Sequence, residues 1–247
     1  MSGNYTQGYS KATTSAHSSR TAQSDAGFIL HRIKPTDKIL DVGCGPGSIT
    51  AGFAPLVSQG SVLGIDLSQE VIDSARDALS DGVGNVKFEV ADLLEGLPFP
   101  DGSFDVVFSS QLFPHLSSTE MKLTALKEMK RVLKPGGFLA TQEGAEDEDF
   151  KGFPGGIMPG LMRKVGFEAS KITVGAGTTV HSGAEARKWY VDGNLGRLSK
   201  GDAFRESWEK AGISEAEIHE TGEALRSWGA DEDAWYAALQ AEIVAEL

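Results

Sequence analysis

At 247 residues the chain can bury one sizeable core, and its 40% hydrophobic and 23% charged residues are those of a soluble globular protein built as a single domain. No window approaches the ~18 consecutive apolar residues of a membrane span, so no membrane anchor is expected. Lys and Arg total 23 against 35 Asp and Glu, a net charge of -12, and no basic cluster stands out, which argues against a nucleic-acid partner.

The opening "MSGNYTQGYSKATTSAHSSR" is polar and lacks the apolar core of a secretory signal, and Cys44 has no second cysteine to pair with. A reducing, cytoplasmic setting is the expectation. Ala22, Ala26, Ile29, Leu30 and Ile33 then recur at helical spacing until Pro35, predicting a leading helix. Lys38 to Val42 reads as a buried strand, and Ile49, Phe53, Leu56 and Val57 share one face of a helix that Pro55 should kink or shorten.

Ser61 to Asp66 is a second strand, and Ser68 caps a helix carrying Val71, Ile72, Ala75, Ala78 and Leu79. Val86–Val90 and Phe104–Ser110 are the third and fourth strands, separated by the turn chemistry of "GLPFPDGS". Ser117 and Glu120 have capping-box spacing before a helix with Leu126, Met129, Val132 and Leu133 on its buried stripe. "KPGG" ends that helix, and Phe138 to Gln142 forms a fifth strand. Repeated alternation of this kind predicts an α/β fold with a parallel sheet covered on both faces.

Past Glu143 the alternation fades. "GAEDEDFKGFPGGIMPG" reads as a solvated loop, and "FEASKITVGAGTTVH" as a hairpin of closing strands around Gly175 and Gly177. The remainder reads as helical, with a Ser214–Glu217 capping box and with Trp235, Leu239, Ile243 and Val244 on one face of the last helix.

The candidate site starts at "ILDVGCGPGSIT". Gly43, Gly45 and Gly47 follow the first strand, where an open parallel sheet binds ligands and where the next helix offers unpaired N–H groups. A tight turn alone also uses glycine, but the third glycine falls one residue earlier than in the G-x-G-x-x-G of dinucleotide-binding dehydrogenases, which argues against a nicotinamide or flavin cofactor. Asp66 ends the second strand, 19 positions after Gly47, where a carboxylate can take both hydroxyls of a ribose; Asp92 ends the third. A glycine loop with acidic strand ends in this order points to a nucleoside-bearing cofactor.

"ILDVGCGPGSIT", "VLGIDLS", "FEVADLLEGLPFPDGSFDVVFSS" and "LKEMKRVLKPGGFL" resemble the successive motifs of class I S-adenosylmethionine-dependent methyltransferases over about residues 25–142. The resemblance implies a Rossmann-like fold: a seven-stranded, mostly parallel sheet with helices on both faces and extra helices at both ends. It implies that Gly43, Cys44, Gly45 and Gly47 hold the methionyl part of S-adenosylmethionine, that Asp66, beside Leu67, holds the ribose, and that Ala91, Asp92 and Leu93 contact the adenine. Ser109, Ser110 and Gln111 would face the methionine moiety or the acceptor. Cys44 is in this pattern a loop residue without covalent chemistry. Residues 1–34 would be a lid and helix, 35–142 the cofactor core, and 143–247 a substrate cap, closing strands and C-terminal helices.

The N-terminal "NYTQGYSKATTSAHSSRTA" resembles that of small-molecule methyltransferases such as the quinone-biosynthesis C-methyltransferases, with Tyr5, Gln7, His17 and Arg20 at the matching positions. The expectation is that it folds over the cofactor. His115, in "QLFPHL", is the candidate general base, or else a structural histidine. The C-terminal half resembles fungal gliotoxin-type dithiol S-methyltransferases, except that residues 143–167 look shorter than the corresponding roof of the pocket. Trp189, Tyr190, Trp235 and Tyr236 would line an apolar acceptor pocket or serve the core.

Together these features imply methyl transfer to a small-molecule acceptor, favouring a thiol of a secondary metabolite. The alternatives are a C- or O-methyltransferase of a quinone-like or phenolic ring and a catalytically silent S-adenosylmethionine binder, with a dehydrogenase far behind. No metal is expected, and no particular oligomeric state follows.

Overall fold

The computed structural model describes residues 20–79, 83–144 and 154–247. These form two compact units, residues 20–178 with 238–247 and residues 179–237. In chain order the first elements are α1 (Ala22–Asp25), β1 (Lys38–Val42), α2 (Ser48–Phe53), β2 (Ser61–Asp66), α3 (Gln69–Ala78), β3 (Val86–Val90), β4 (Phe104–Ser110) and α4 (Thr119–Arg131). They are followed by β5 (Leu133–Gly144), α5 (Pro154–Lys164), β6 (Ile172–His181), α6 (Gly183–Arg197), α7 (Ala203–Lys210), α8 (Glu215–Ala230) and β7 (Tyr236–Glu246).

The strands form one seven-stranded sheet in the order β3-β2-β1-β4-β5-β7-β6, with β3 through β5 parallel and β7 antiparallel to β5. This is the mostly parallel, Rossmann-like sheet the motifs imply. Leu40, Val107 and Leu139 pack on one face with Leu126 and Met129 of α4 and Met158 and Met162 of α5. Ile39, Val106 and Phe108 pack on the other with Phe53 of α2, Ile72 of α3 and Ile29. Because both faces are covered, the strands read as continuous apolar runs. The register aligns their carboxyl ends: Val42 is opposite Ile65, Asp66 opposite Val90, and Ser110 opposite Gln142.

The first four predicted strands match their observed bounds, and β5 extends past its predicted span to Gly144. Ser68 caps α3 as expected, and α2 gives way at Phe53 to a 3-10 turn containing Pro55. Five expectations need correction. The leading helix stops after Asp25, just before Gly27, and only a short 3-10 turn, Leu30–Arg32, resumes it, although Ala22, Ala26 and Ile29 are still buried. The cap of α4 is Ser118, whose hydroxyl accepts the Met121 N–H at 3.1 Å, rather than a Ser117–Glu120 box.

The stretch read as a solvated loop runs into α5, which starts at Pro154. Three glycines at ~1 kcal/mol each and Pro159 at ~3 argue against a helix there. Burial of Met158, Leu161 and Met162, worth ~1.5–3 kcal/mol each, offsets that penalty. The predicted hairpin is one continuous strand, β6. Its glycines make room rather than a turn: a Cβ on Gly177 would meet the Glu242 carboxylate at 2.3 Å.

The last predicted helix is instead β7, paired with β5 from Phe138–Glu246 to Gly144–Gln240. It lies between β5 and β6, so Ile243 and Ala245 on one face and Val244 on the other are all buried, and an Ala- and Glu-rich run takes the strand its neighbours offer.

Within residues 179–237, α8 opens with the predicted Ser214–Glu217 capping box. The buried Arg205 bonds the Leu198 carbonyl at 2.9 Å and pairs with Glu209 and Glu215.

Candidate active site at the carboxyl ends of the strands

The chain leaves β1 at Val42, and the N–H groups of Gly43 and Cys44 both donate to the Ile65 carbonyl, at 2.8 and 2.9 Å. Of the three loop glycines, all with positive φ, Gly47 is pressed from below: a Cβ there would lie 2.5 Å from the Phe88 ring. Among the described residues nothing lies within 4 Å of that position on Gly45, so none of them covers its main chain. We expect Gly47→Ala to lower stability by about 2–4 kcal/mol, from the overpacked ring plus the left-handed φ, read as a fall in melting temperature; an unchanged melt would mean Phe88 yields freely.

Asp66 ties this loop to β2. One carboxylate oxygen accepts the Gly45 N–H and the other the Ser68 N–H, both at 3.1 Å, while burial raises its pKa. Asp92 accepts the Leu94 N–H at 2.8 Å and so shapes the turn after β3. Between these two ends, Leu67 and Val90 stand 47% and 42% exposed, an apolar pair at the rim. Ala91 continues the rim, its N–H bonded to the Asp66 carbonyl, whereas the Leu93 side chain is buried in the core on the α4 side.

Beneath the loop lies Asp41. It is fully buried, accepts the Thr50 hydroxyl at 2.6 Å, and has its pKa pushed up to about 7 by desolvation against that hydrogen bond, with Asp66 adding to the rise. Cys44 is buried beside it, and desolvation with the neighbouring Asp41 and Asp66 pushes its thiol well above the ordinary range, so it is inert as a nucleophile.

At the ends of β4 and β5, Ser109 is buried with its hydroxyl 2.9 Å from that of Thr141, so it faces the sheet interior rather than open space. The buried Ser110 hydroxyl has no partner among the described residues. Gln111 takes φ +54, in the left-handed region, and is held there on three sides. Its N–H donates to the Gln142 carbonyl at 2.9 Å, its Nε2 donates to Gln240 at 2.7 Å, and its Oε1 accepts the Gly144 N–H at 3.4 Å. His115 lies on the 3-10 turn Phe113–His115 that follows.

Glu143, near the end of β5, is fully buried and accepts the Thr141 hydroxyl at 2.7 Å; burial raises its pKa to about 8 against that hydrogen bond and the charge of Arg20. Arg20 also lies 3.9 Å from Asp25. Tyr5, Gln7 and His17 lie outside the described residues. In the 179–237 unit, His181 stacks on Trp189 at 5.2 Å and meets Tyr190 and Tyr236 at 5.1 and 6.2 Å, while Trp235 is 64% exposed.

Residues 39–137, the strands and turns just described, match the family model of a methyltransferase domain. The chain is 42% identical over 275 residues to "Probable methyltransferase ltbC" of Aspergillus luteorubrus, covering 98% of this chain and 96% of that one. It belongs to the class I S-adenosylmethionine-dependent methyltransferases. It is also 38% identical over 117 residues to a "Ubiquinone/menaquinone biosynthesis C-methyltransferase UbiE" of Teredinibacter turnerae, spanning 46% of this chain and about half (45%) of that one. Among solved structures, the YcgJ protein of Bacillus subtilis shares the fold at a TM-score of 0.57 and 19% identity, over 89% of this chain and 96% of that chain.

The methyltransferase has a site whose residues fit its cosubstrate. Among the described residues nothing lies over Gly45 and the Ser110 hydroxyl is unsatisfied, and an apolar pair stands beside a carboxylate at the end of β2. Sequence reasoning missed Asp41, Val90 and Glu143. Asp41 carries a visible signal, an acid inside an apolar strand; Val90 and Glu143 carry none beyond ending a strand. No helix of the described residues is long and apolar enough to cross a membrane.

Proposed function

We propose that this methyltransferase acts on a sulfur atom of a small, largely apolar thiol metabolite, of the kind made as a dithiol in fungal secondary metabolism. The observation that carries the methyl-transfer site is the Gly45 amide tied to Asp66 in a loop whose main chain no described residue covers. When bound, S-adenosylmethionine supplies an electrophilic methyl on a sulfonium sulfur and leaves as S-adenosylhomocysteine. Asp66 holds the ribose, Leu67 and Val90 flank the adenine with Ala91 and Asp92, and the loop Gly43–Gly47 with Ser110, Gln111 and Arg20 holds the methionyl end.

A thiol of ordinary pKa ~8.5 is already partly thiolate at neutral pH, so the chain's main task is to align it and exclude water, with His115 available to take the proton. A second reading, C-methylation of a quinone-like ring, is favoured by the 38% identity to the quinone-biosynthesis enzyme.

Calorimetry with S-adenosylmethionine and with NAD, followed by transfer of labelled methyl to dithiol, phenol and quinone acceptors, tests both readings. Binding of S-adenosylmethionine with turnover of the dithiol is expected. Turnover of the quinone alone selects the second reading, and binding without any turnover would leave a silent binder.

A further inference from the structure

The sheet ends at β6, whose one neighbour among the described residues is β7. A free edge is a template for pairing with another chain, and proteins blunt such edges with lysines, prolines or short strands. β6 carries none of these: it is 10 residues long and reads ITVGAGTTVH, without Lys, Arg, Asp, Glu or Pro. Thr173, Val174, Gly175 and Ala176 are exposed in succession, so the strand is open on both faces.

The two faces differ in chemistry. Ile172 packs against the core that holds Met158 and Met162 of α5, and alternation puts Val174 and Ala176 on that same side as an apolar row. Val174 is 57% exposed there. On the opposite side Gly175 and Gly177 make room for Glu242 of β7: a Cβ on Gly177 would collide with its Oε1, and one on Gly175 would lie 3.5 Å from its Oε2. Burial at this place raises the Glu242 pKa, and no cation of the described residues offsets that rise. Lys171 is exposed immediately before the strand, and because Ile172 is extended, Lys171 falls on the Glu242 side.

We propose that β6 is a dimer seam: a second copy of this chain adds its own β6 antiparallel across a two-fold axis at Val174, continuing the sheet from one protomer into the other. In that register Val174 faces the partner's Val174 and Ile172 faces the partner's Ala176, so each apolar row shields the other from water. On the opposite side Gly177 faces the partner's Lys171, whose ammonium meets the Glu242 carboxylate standing over that glycine. The axis makes this ion pair twice. Alternation admits only registers that keep like faces together, and the one centred on Val174 sets Lys171 against Gly177. Seven facing residues a side are fewer than the ~20–30 of a standard interface, so the dimer is of micromolar strength. The seam is independent of the acceptor proposed for methyl transfer.

The test is sedimentation velocity of the full chain from about 1 to 200 µM, a range that brackets micromolar association. Wild type should be mostly dimer at the upper end. Val174→Lys sets two like charges face to face on the axis and should raise the dimer Kd by about tenfold or more, while its melting temperature stays within about 2 °C because the site is exposed. Lys171→Glu should raise the Kd by about fivefold through a lost ion pair and a new repulsion. Val174→Cys should cross-link between copies under mild oxidation, since facing residues of an antiparallel pair have Cα atoms ~4.5–5.5 Å apart, within disulfide reach. Thr178→Cys, on the same side but facing no copy of itself, should stay unlinked, and the buried Cys44 takes no part.

A wild type that stays monomeric throughout overturns the seam and leaves this edge to a different partner or to none. A dimer that Val174→Lys leaves intact lies elsewhere on the surface and overturns it equally. Thr178→Cys linking as fast as Val174→Cys, or Lys171→Glu dimerising as tightly as wild type, overturns the register and the ion pair that selects it.

Discussion

Asp66→Ala is expected to weaken S-adenosylmethionine binding by about 10–100-fold, roughly 1.4–2.8 kcal/mol, in calorimetry at neutral pH. Two losses combine. The carboxylate presently accepts the Gly45 and Ser68 N–H groups, so its removal unties the glycine loop from β2 before any ligand arrives. It also removes the acceptor proposed for the ribose hydroxyls, and hydrogen bonds to a charged group are about twice as strong as neutral ones. Asp66→Asn, which retains one acceptor oxygen, should fall between wild type and alanine. Affinity unchanged in Asp66→Ala would remove the ribose assignment and leave Asp66 as a loop tether only.

The second large effect is on stability. Asp41 and Glu143 are fully buried and have folded-state pKa values of about 7 and about 8, above the 3.8 and 4.5 of the free groups. Below the free values both states are protonated. Between those values and the folded ones the native state holds protons the unfolded state has lost, so stability falls as pH rises and has lost its full increment above about pH 8. We expect the melting temperature of the cofactor-free protein to drop by roughly 12–24 °C between pH 5 and 8.5, on the order of 6 kcal/mol.

Asp41→Asn keeps an oxygen for the Thr50 hydroxyl and removes the charge. It should therefore match wild type at pH 5 and melt higher at pH 8.5. A melting temperature flat across this range, or an Asp41→Asn protein that falls as steeply as wild type, would mean that Asp41 ionises freely in the fold.

The alternating half of the chain was legible because each strand there is apolar, short and bounded by its own turn or cap, so local pattern and tertiary fate agree. The glycine loop and Asp66 were legible for the same reason: their spacing after strand ends fixes where they emerge. Glu143 was not. It follows a strand like any terminal acid, and only the fold buries it against the Thr141 hydroxyl and brings Lys122 within range of its charge. The reasons for the glycines were also hidden: Gly47 answers to Phe88 and Gly177 to Glu242, partners distant in sequence.

By itself the sequence determined the alternation of strand and helix, the family motifs and the edge of the sheet at which a ligand would sit, since these depend on periodicities of two to four residues and on glycine spacing. Tertiary structure decided the fates of residues 154–164 and 236–246. In the first, burial of methionines and a leucine outweighed glycine and proline; in the second, an antiparallel place beside β5 outweighed helix-forming composition. Local preference is worth tenths of a kcal/mol per residue, and a fully buried side chain several times that, so wherever the two conflict the neighbours prevail.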